Sequence, residues 1–284
     1  MTDQKPFFIG IDSDGCVFDA MDIKHKECFC PAFIKHFGLQ AAYRPAREVW
    51  EFVNLYSSRR GTNRFQAVVL ALEMLAEHPL VRAKNLEIPR CPGLRDWVAR
   101  ERRLGGPALE QAVADSQDPD LIRTLAWHQE VNSRVAEMVH GMPPFAGVRE
   151  VLRQAGERAE LMVVSQASGD ALQREWGEHG LLDLVDRVAG QEDGTKSEHI
   201  AAALNGREAR ALMIGDAPGD RQAAQDNGIA FFPIIPGQEE ASWARLLTEG
   251  LARLFEDRFD TAYQQLLDEE FLQALPEDPP WAGR

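Results

Sequence analysis

Three short apolar runs, far apart in the chain, each end in a polar or acidic side chain. FFIGI runs into Asp12, ELMVV into Ser165 and ALMIG into Asp216. Apolar runs of this length predict buried strands. After Val148 such runs alternate with stretches of helical spacing, which favours a parallel sheet with helices on its faces. Because ligands bind beyond the carboxyl ends of the strands in such sheets, we predict an α/β fold with a site at these three side chains.

The chain between residues 20 and 144 differs from the rest, because its apolar residues recur three and four positions apart. Segments such as REVWEFVNLY and RFQAVVLALEMLAEH predict amphipathic helices, and little in this stretch predicts a strand. The prolines and glycines of GMPPFAGV end the pattern. We therefore predict an α/β core of residues 1–19 and 145–235, an inserted helical domain of residues 20–144, and a C-terminal helical extension of residues 236–284 with a loose tail.

The bulk composition argues against several classes of protein. The formal net charge of -14 disfavours nucleic acid as a partner, because phosphate contacts need a basic face. No apolar run approaches the roughly 20 residues that span a bilayer, and the start MTDQKPFF lacks the features of a signal peptide. The 4 cysteines are too few for a disulfide framework in a chain of 284 residues. These features predict a cytoplasmic protein with reduced thiols and no membrane contact.

Carboxylates are concentrated in two short segments that follow predicted strands, DSDG and GDAPGD. They are Asp12, Asp14, Asp216 and Asp220. Gathered at one sheet edge they would repel each other, and a hard cation such as Mg²⁺ relieves the repulsion while leaving room for a phosphate group. Ser165 and Lys196 can then donate hydrogen bonds to that phosphate. An aspartate can attack phosphorus, and a second carboxylate two residues on can protonate the leaving group and later activate water.

Four motifs, in this order, resemble those of the haloacid dehalogenase superfamily of phosphohydrolases. They are DSDGCVFD from Asp12, Ser165 after LMVV, Lys196, and GDAPGD from Gly215. The resemblance implies a Rossmann-like parallel sheet with a mobile cap, here the large helical insertion. Two positions depart from the usual pattern. Cys16 stands where threonine or valine is common, so a catalytic cysteine stays open, and GTKSEH lacks the prolines that often surround the lysine.

The resemblance also implies a role for each motif residue. Asp12 would be the nucleophile, and Asp14 would be the general acid and base. Ser165 would bind the transferring phosphoryl group, and Lys196 would steady that group and Asp12. The implied Mg²⁺ ligands are Asp12, the backbone carbonyl of Asp14, Asp216 and, directly or in support, Asp220.

Candidate substrate contacts lie in the helical insertion and beside Ser165. Basic residues follow the first motif and interrupt YSSRRGTNRF, where a guanidinium can grip an anionic substrate. The candidates are Lys24, His25, Arg59, Arg60 and Gln166. For the basic ones, a role as ordinary solvated turn residues is an equal alternative.

The function that these features favour is a Mg²⁺-dependent phosphatase, a phosphoric monoester hydrolase, for a small phosphorylated metabolite. It would act through an aspartyl-phosphate and exist as a monomer or a homodimer. Three alternatives stay open: a phosphomutase similar to the beta-phosphoglucomutases, a phosphonate hydrolase, or a non-catalytic phosphate-binding regulator. The phosphonate hydrolase would need a Schiff-base lysine, such as Lys24 or Lys35. Asp14 disfavours cleavage of carbon–halogen bonds, since dehalogenases of this superfamily lack the second aspartate.

Overall fold

The computed structural model describes residues 5–191 and 194–282, and its central element there is a five-stranded sheet. The strands are β1 (Phe7–Ile11), β2 (Ala159–Val164), β3 (Arg187–Ala189), β4 (Ala211–Gly215) and β5 (Ala230–Pro233). They lie in the order β3-β2-β1-β4-β5, and every neighbouring pair is parallel. The predicted α/β fold is therefore confirmed.

β1 lies at the centre of the sheet, and its five residues are all buried. A central parallel strand has both faces covered, which explains why its sequence is apolar throughout. Ile11 is aligned with Val163 of β2 and with Ile214 of β4. Since β1, β2 and β4 end close to this level, the polar residues that follow them share one edge of the sheet.

In the described residues of this α/β part, seven helices follow the insertion. They are α8 (Val148–Gly156), α9 (Gly169–Glu178), α10 (Lys196–Leu204), α11 (Pro218–Asp226), α12 (Glu239–Arg245), α13 (Leu251–Phe255) and α14 (Thr261–Ala274). Short 3-10 turns lie at Leu182–Leu184 and Glu208–Arg210, and a π-helical turn, Leu246–Gly250, joins α12 to α13. Phe271 of α14 packs edge-on against Phe231 of β5, with ring centroids 5.4 Å apart, so the C-terminal helices contribute to the core.

The insertion is helical throughout its described length, as its spacing predicts. Its helices are α1 (Cys30–His36), α2 (Tyr43–Leu55), α3 (Arg64–Glu77), α4 (Pro79–Ala83), α5 (Pro92–Arg100), α6 (Gly106–Ser116) and α7 (Pro119–Met138). A π-helical segment, Ile23–Phe29, leads into α1, and a 3-10 turn, Gln40–Ala42, leads into α2. Fully buried Trp50 and Trp127 lie 6.0 Å apart and pack with Phe29 at the centre of this bundle.

The segment after Leu275 packs against the helical insertion, although the sequence predicts a loose tail. The carbonyl of Pro276 accepts a hydrogen bond of 3.1 Å from the N–H of Ser58. The ring of Trp281 lies 5.6 Å from that of Phe52 and 5.0 Å from that of His78. Trp281 supplies the apolar area that orders the tail. The composition of the tail did not single out this residue.

The chain forms two compact units. The core unit holds the residues up to Met21 together with Gly141–Leu275, and the helical unit holds Asp22–His140 together with the chain from Pro276 on. Helices α12, α13 and α14 thus belong to the core unit. In the described part of the chain, none of the helices combines the length and apolar composition that crossing a bilayer requires.

Candidate active site

Asp12, Lys196 and Asp220 form a connected group of charges at the carboxyl edge of the sheet. Nζ of Lys196 lies 2.8 Å from Oδ2 of Asp12 and 2.5 Å from Oδ1 of Asp220. Asp12 is 6% exposed and Asp220 is fully buried, so water screens these contacts weakly. The fold therefore brings together three of the site residues that the sequence predicts.

Backbone hydrogen bonds fix Asp12 and the turn that follows it. The N–H of Asp12 donates to the carbonyl of Ile214 at 2.9 Å, which extends the pairing of β1 with β4. Its Oδ1 accepts a hydrogen bond of 2.8 Å from the N–H of Ser13. Gly15 has a φ of 76°, a left-handed conformation that glycine adopts without strain. The chain thus turns sharply just after the carboxylate, and half-buried Asp14 lies within this turn.

Asp220 reaches the end of β4 because Gly215 has no side chain. A Cβ atom at Gly215 would lie 2.4 Å from the Cβ, Cγ and Oδ2 atoms of Asp220. Oδ2 of Asp220 also accepts a hydrogen bond of 3.0 Å from the N–H of Ala217, just before α11 begins. A carboxylate in the first turn of a helix is favoured by the helix dipole. The spacing of GDAPGD therefore has a steric and an electrostatic reason.

Lys196 is the first residue of α10, and a capping box sets the start of this helix. The hydroxyl oxygen of Thr195 accepts a hydrogen bond from the N–H of Glu198, and the Glu198 carboxylate accepts one from the N–H of Thr195. This reciprocal pair satisfies two N–H groups at the helix start. The segment GTKSEH thus defines the start of the lysine-bearing helix without the prolines that often surround this lysine.

Three buried carboxylates at this edge fit the requirements of a divalent cation. Asp12, Asp216 and Asp220 each offer an oxygen, and these oxygens all lie within 4.8 Å of one another. Mg²⁺ prefers oxygen ligands, and the set contains no sulfur or nitrogen. Lys196 supplies one positive charge against three carboxylates. The donor set therefore fits Mg²⁺, and the site carries the negative charge that such an ion would neutralise.

Burial and crowding raise the pKa values of two of these carboxyls. Burial raises the pKa of Asp12 to about 7, the charge of Asp220 adds to the rise, and Lys196 opposes it. The pKa of Asp220 is raised by burial, while Lys196 lowers it and Asp216 raises it. The pKa of Lys196 is lowered by burial, but its two aspartate partners outweigh that and raise it overall. The cluster thus holds more negative charge than one lysine stabilises, and a bound cation would favour its ionised form.

Ser165 lies at the same edge, one residue after β2, and is 4% exposed. Its N–H donates to the carbonyl of Ala189 at 3.1 Å, which continues the pairing with β3. Its hydroxyl oxygen accepts a hydrogen bond of 3.2 Å from the N–H of Ala167. The hydroxyl proton can still be donated to a ligand. Gln166, the neighbouring candidate, is exposed.

Cys16 is fully buried, and its thiol lies 3.8 Å from the carbonyl of Ile214. Burial raises the pKa of this thiol well above its usual value, and the charges of the neighbouring aspartates raise it further. A protonated thiol is a poor nucleophile, so these surroundings argue against the catalytic cysteine. All four cysteines are buried and free, as the sequence predicts.

Two tryptophans that the sequence analysis did not place in the site contact the turn after Asp12. Nε1 of Trp176 donates to the hydroxyl oxygen of Ser13 at 3.0 Å. Nε1 of Trp243 donates to the carbonyl oxygen of Cys16 at 2.8 Å. Both tryptophans are fully buried, which is the expected state of any core aromatic residue, so the sequence held no signal for this role.

The helical unit brings three of the predicted substrate contacts together and separates the fourth. The pKa of His25 is lowered to about 3, first by burial and then by the positive charges of Arg60, Lys24 and Arg64. These three cations thus lie near enough to His25 to disfavour its protonation, and the sequence analysis did not single out Arg64. Arg60 and Lys24 are 5% and 9% exposed, whereas Arg59 is exposed. Adjacent residues in one turn thus differ in burial, which the sequence does not reveal.

Arg64 begins α3 and reaches α7 with its guanidinium. It donates to Nδ1 of His128 at 3.2 Å and to Oδ1 of Asn132 at 2.7 Å. The guanidinium also lies 5.0 Å from the centre of the Phe29 ring. Burial lowers the pKa of Arg64 to about 10, which still leaves the side chain charged at neutral pH. The helical unit thus keeps positive charge beside an aromatic core.

A family model described as haloacid dehalogenase-like hydrolase matches residues 99–234. The match runs from the end of α5 through the last strand. It contains four of the predicted site residues, Ser165, Lys196, Asp216 and Asp220, and begins after Asp12 and Asp14. No curated protein matches the sequence.

Three solved structures to which the chain is similar are the following. A haloacid dehalogenase-like hydrolase from Streptococcus pneumoniae is 16% identical, with 88% of this chain and 93% of that chain covered and a TM-score of 0.46. A protein described as a predicted phosphoglycolate phosphatase from Haemophilus somnus is 13% identical, with 82% and 86% covered and a TM-score of 0.45. A haloacid dehalogenase superfamily hydrolase of subfamily IA from Geobacter sulfurreducens is 17% identical, with 82% and 90% covered and a TM-score of 0.41.

Proposed function

We propose that the chain is a Mg²⁺-dependent phosphatase of the haloacid dehalogenase superfamily that hydrolyses a small phosphorylated metabolite, which the family-model match to residues 99–234 supports. The observation that carries the proposal is the contact of Lys196 with both Asp12 and Asp220 among three buried carboxylates. A purely structural ion pair would not need two further acids beside it, since each buried carboxylate costs desolvation energy.

In the first step, a carboxylate oxygen of Asp12 attacks phosphorus in line with the bond to the leaving oxygen. That bond breaks as the new P–O bond forms, and Asp14 transfers a proton to the departing oxygen. In the second step, Asp14 takes a proton from water, whose oxygen attacks phosphorus. The bond between phosphorus and the Asp12 oxygen breaks, which restores the Asp12 carboxylate and releases inorganic phosphate. Asp14 lies two residues after Asp12 in the turn that Gly15 makes possible, which supports this division of roles.

Charge balance is the second requirement of the reaction. Lys196 holds Asp12 at 2.8 Å and would face the phosphoryl oxygens, and the Ser165 hydroxyl would donate a hydrogen bond to one of them. Mg²⁺ bound by Asp12, Asp216 and Asp220, with the backbone carbonyl of Asp14, would neutralise charge on the nucleophile and on the phosphoryl group.

The helical unit offers candidate contacts for the rest of the substrate. We propose that Lys24, His25 and Arg60 contribute to substrate selection, because the structure groups two buried cations around the imidazole. For exposed Arg59 and Gln166 the same role stays a prediction.

The proposal is tested by measuring phosphate release from p-nitrophenyl phosphate and a panel of metabolite phosphates, with Mg²⁺ and with EDTA. The wild-type chain should release phosphate only with Mg²⁺, and Asp12→Asn should lose at least about 10³-fold in kcat. Asp19→Asn is the matched control, because Asp19 is an exposed carboxylate in the same stretch, and it should stay within about twofold.

Two results would contradict the proposal. Folded wild-type protein that releases no phosphate from any ester in the presence of Mg²⁺ would remove the phosphatase. An Asp12→Asn variant with undiminished release would remove Asp12 as the nucleophile.

A further inference from the structure

Two indole N–H groups, from helices far apart in the sequence, hold the two ends of the turn that contains Asp14. Trp176 of α9 donates to the Ser13 hydroxyl at 3.0 Å, and Trp243 of α12 donates to the Cys16 carbonyl at 2.8 Å. The ring of Trp176 also meets the ring of Phe18 edge-on, with centroids 5.8 Å apart. Each contact ties the turn to a rigid helix of the core unit.

The turn needs such ties because its own sequence makes it adaptable. Gly15 sits in the left-handed region and can leave it at little cost, since glycine has no Cβ to restrict it. Within the turn, the N–H of Val17 donates to the carbonyl of Ser13 at 2.8 Å and the N–H of Gly15 to that of Phe18 at 2.9 Å, which closes the loop on itself. From outside, the N–H of Phe145 donates to the Val17 carbonyl at 2.9 Å, and the two indoles bond to the turn on either side of Asp14.

We propose that Trp176 and Trp243 are positioning residues that hold Asp14 where it can exchange a proton with the leaving group. This inference rests on the proposed phosphatase function. Neither indole needs to touch the substrate. Trp176 acts through the Ser13 hydroxyl and Trp243 through the Cys16 carbonyl, and all four of these residues are buried.

The inference predicts an effect that depends on the leaving group. An acid catalyst matters when the departing oxygen is a strong base and matters little when it is a weak base. Phenyl phosphate and p-nitrophenyl phosphate have nearly the same shape, but phenoxide is the stronger base. A displaced Asp14 should therefore slow phenyl phosphate more than p-nitrophenyl phosphate, whereas a general loss of folded protein slows both equally.

The test compares kcat and KM for both esters in the full-length wild type, Trp243→Phe and Trp176→Phe, with saturating Mg²⁺. Phenylalanine keeps an aromatic ring and removes the N–H donor. We expect kcat/KM, which reports the step that expels the leaving group, to fall about 10-fold or more on phenyl phosphate and about threefold or less on p-nitrophenyl phosphate. Asp14→Asn should show the same bias more strongly.

Two further variants separate positioning from stability. Ser13→Ala removes the acceptor for Trp176 without opening a large cavity, so it should reproduce the bias even where Trp176→Phe does not fold, and the double variant should add nothing to it. Phe271→Leu weakens the core unit far along the chain from the turn and should leave the ratio of the two kcat/KM values unchanged.

The outcomes distinguish this inference from the function on which it rests. Equal losses of kcat/KM on the two esters would overturn the positioning role while leaving the phosphatase intact. The same bias in Phe271→Leu would also overturn it. A folded wild type that hydrolyses neither ester would overturn the proposed function and, with it, this inference.

Discussion

The core unit and the helical unit treat clustered charge in opposite ways. In the core unit, Asp12 and Asp220 share one lysine, and burial raises the pKa of both carboxyls. In the helical unit, Glu130 has three basic partners, at distances of 2.6–2.8 Å. They are Lys35, His36 and Arg134. The hydrogen bond from Lys35, followed by those from the other two, lowers the pKa of Glu130 to about 2.

The difference separates charges that serve stability from charges that serve a ligand. Glu130 is compensated by the protein itself, so its ion pairs need nothing from outside. In the core cluster, burial and mutual repulsion outweigh the contact with Lys196, because the pKa values of Asp12 and Asp220 are raised, and the rest of the fold holds this arrangement at the carboxyl edge of the sheet. An excess of buried like charge is thus a better sign of a binding site than the number of charged residues.

Displacing one carboxylate of the core cluster should cause the largest loss of activity among the changes considered for the two units. In Gly215→Ala the new Cβ would lie 2.4 Å from Asp220, so the carboxylate must move away from Lys196 and the other acids. We expect kcat/KM for the phosphate esters to fall at least about 100-fold, since a displacement of a catalytic group by about 1 Å costs this much. Steady-state kinetics with increasing Mg²⁺ would measure the loss.

Gly219→Ala is the matched control for this substitution. Gly219 lies four residues further on in the same motif, and nothing lies within 4 Å of a Cβ at that position. Its kcat/KM should remain within about twofold of the wild type. Wild-type activity in Gly215→Ala would show that Asp220 does not need its observed position.

The addition of Mg²⁺ should distinguish the two units, because only the carboxylates of the core cluster should bind the ion and be stabilised by it. An ion that binds the folded state and not the unfolded state stabilises the folded state by about 2.7 kcal/mol when the ion concentration is 100 times the dissociation constant. We expect Mg²⁺ to raise the Tm of the wild type by several degrees and to leave that of Asp216→Asn unchanged. An equal rise in both proteins, or none in the wild type at matched ionic strength, would contradict a metal site at these carboxylates.

The smallest effect concerns Glu130, whose ion pairs lie near the surface. Its lowered pKa means that the stabilisation is present above the unfolded-state value of 4.5 and is lost as the pH falls towards about 2. Water screens these pairs, so we expect Glu130→Gln to lower the free energy of unfolding by only about 1 kcal/mol at pH 7 and by less at pH 3. Urea unfolding at both pH values measures this.

Exposed Glu110, replaced by glutamine in the same way, is the control and should change the free energy of unfolding by less than about 0.5 kcal/mol. A cost for Glu130→Gln that grows as the pH falls would show that Glu130 is not stabilised by its basic neighbours.

The strand-end residues were predictable because the sheet itself dictates their meeting. A polar residue directly after a buried parallel strand has nowhere to go but the carboxyl edge, and this placed Asp12, Ser165 and Asp216 together. Lys196 and Asp220 lie on helices, and their place in the site came from the resemblance of the motifs. The structure adds the reasons, a capping box at Thr195 and the absent side chain of Gly215.

The remaining features depend on tertiary contacts that no local pattern records. In the sequence, Trp176 and Trp243 have the pattern of ordinary core residues. Only the structure shows that their N–H groups reach the turn after Asp12. Neighbouring Arg59 and Arg60 have the same chemistry, but only the second is buried. Arg64 is the first residue of a helix, and only the packing of the helices shows that its guanidinium reaches His128.

The packing of Trp281 against Phe52 and His78 has a consequence for the order in which the protein can fold during synthesis. The helical unit starts at Asp22, yet one of its aromatic contacts comes from a residue made some 140 positions after its last inserted helix ends. The hydrophobic core of the core unit likewise includes Phe271, which is synthesised late. Neither unit can therefore be completed as an early, self-contained domain on the ribosome, and a nascent chain stopped before residue 271 should leave both of them open to proteases.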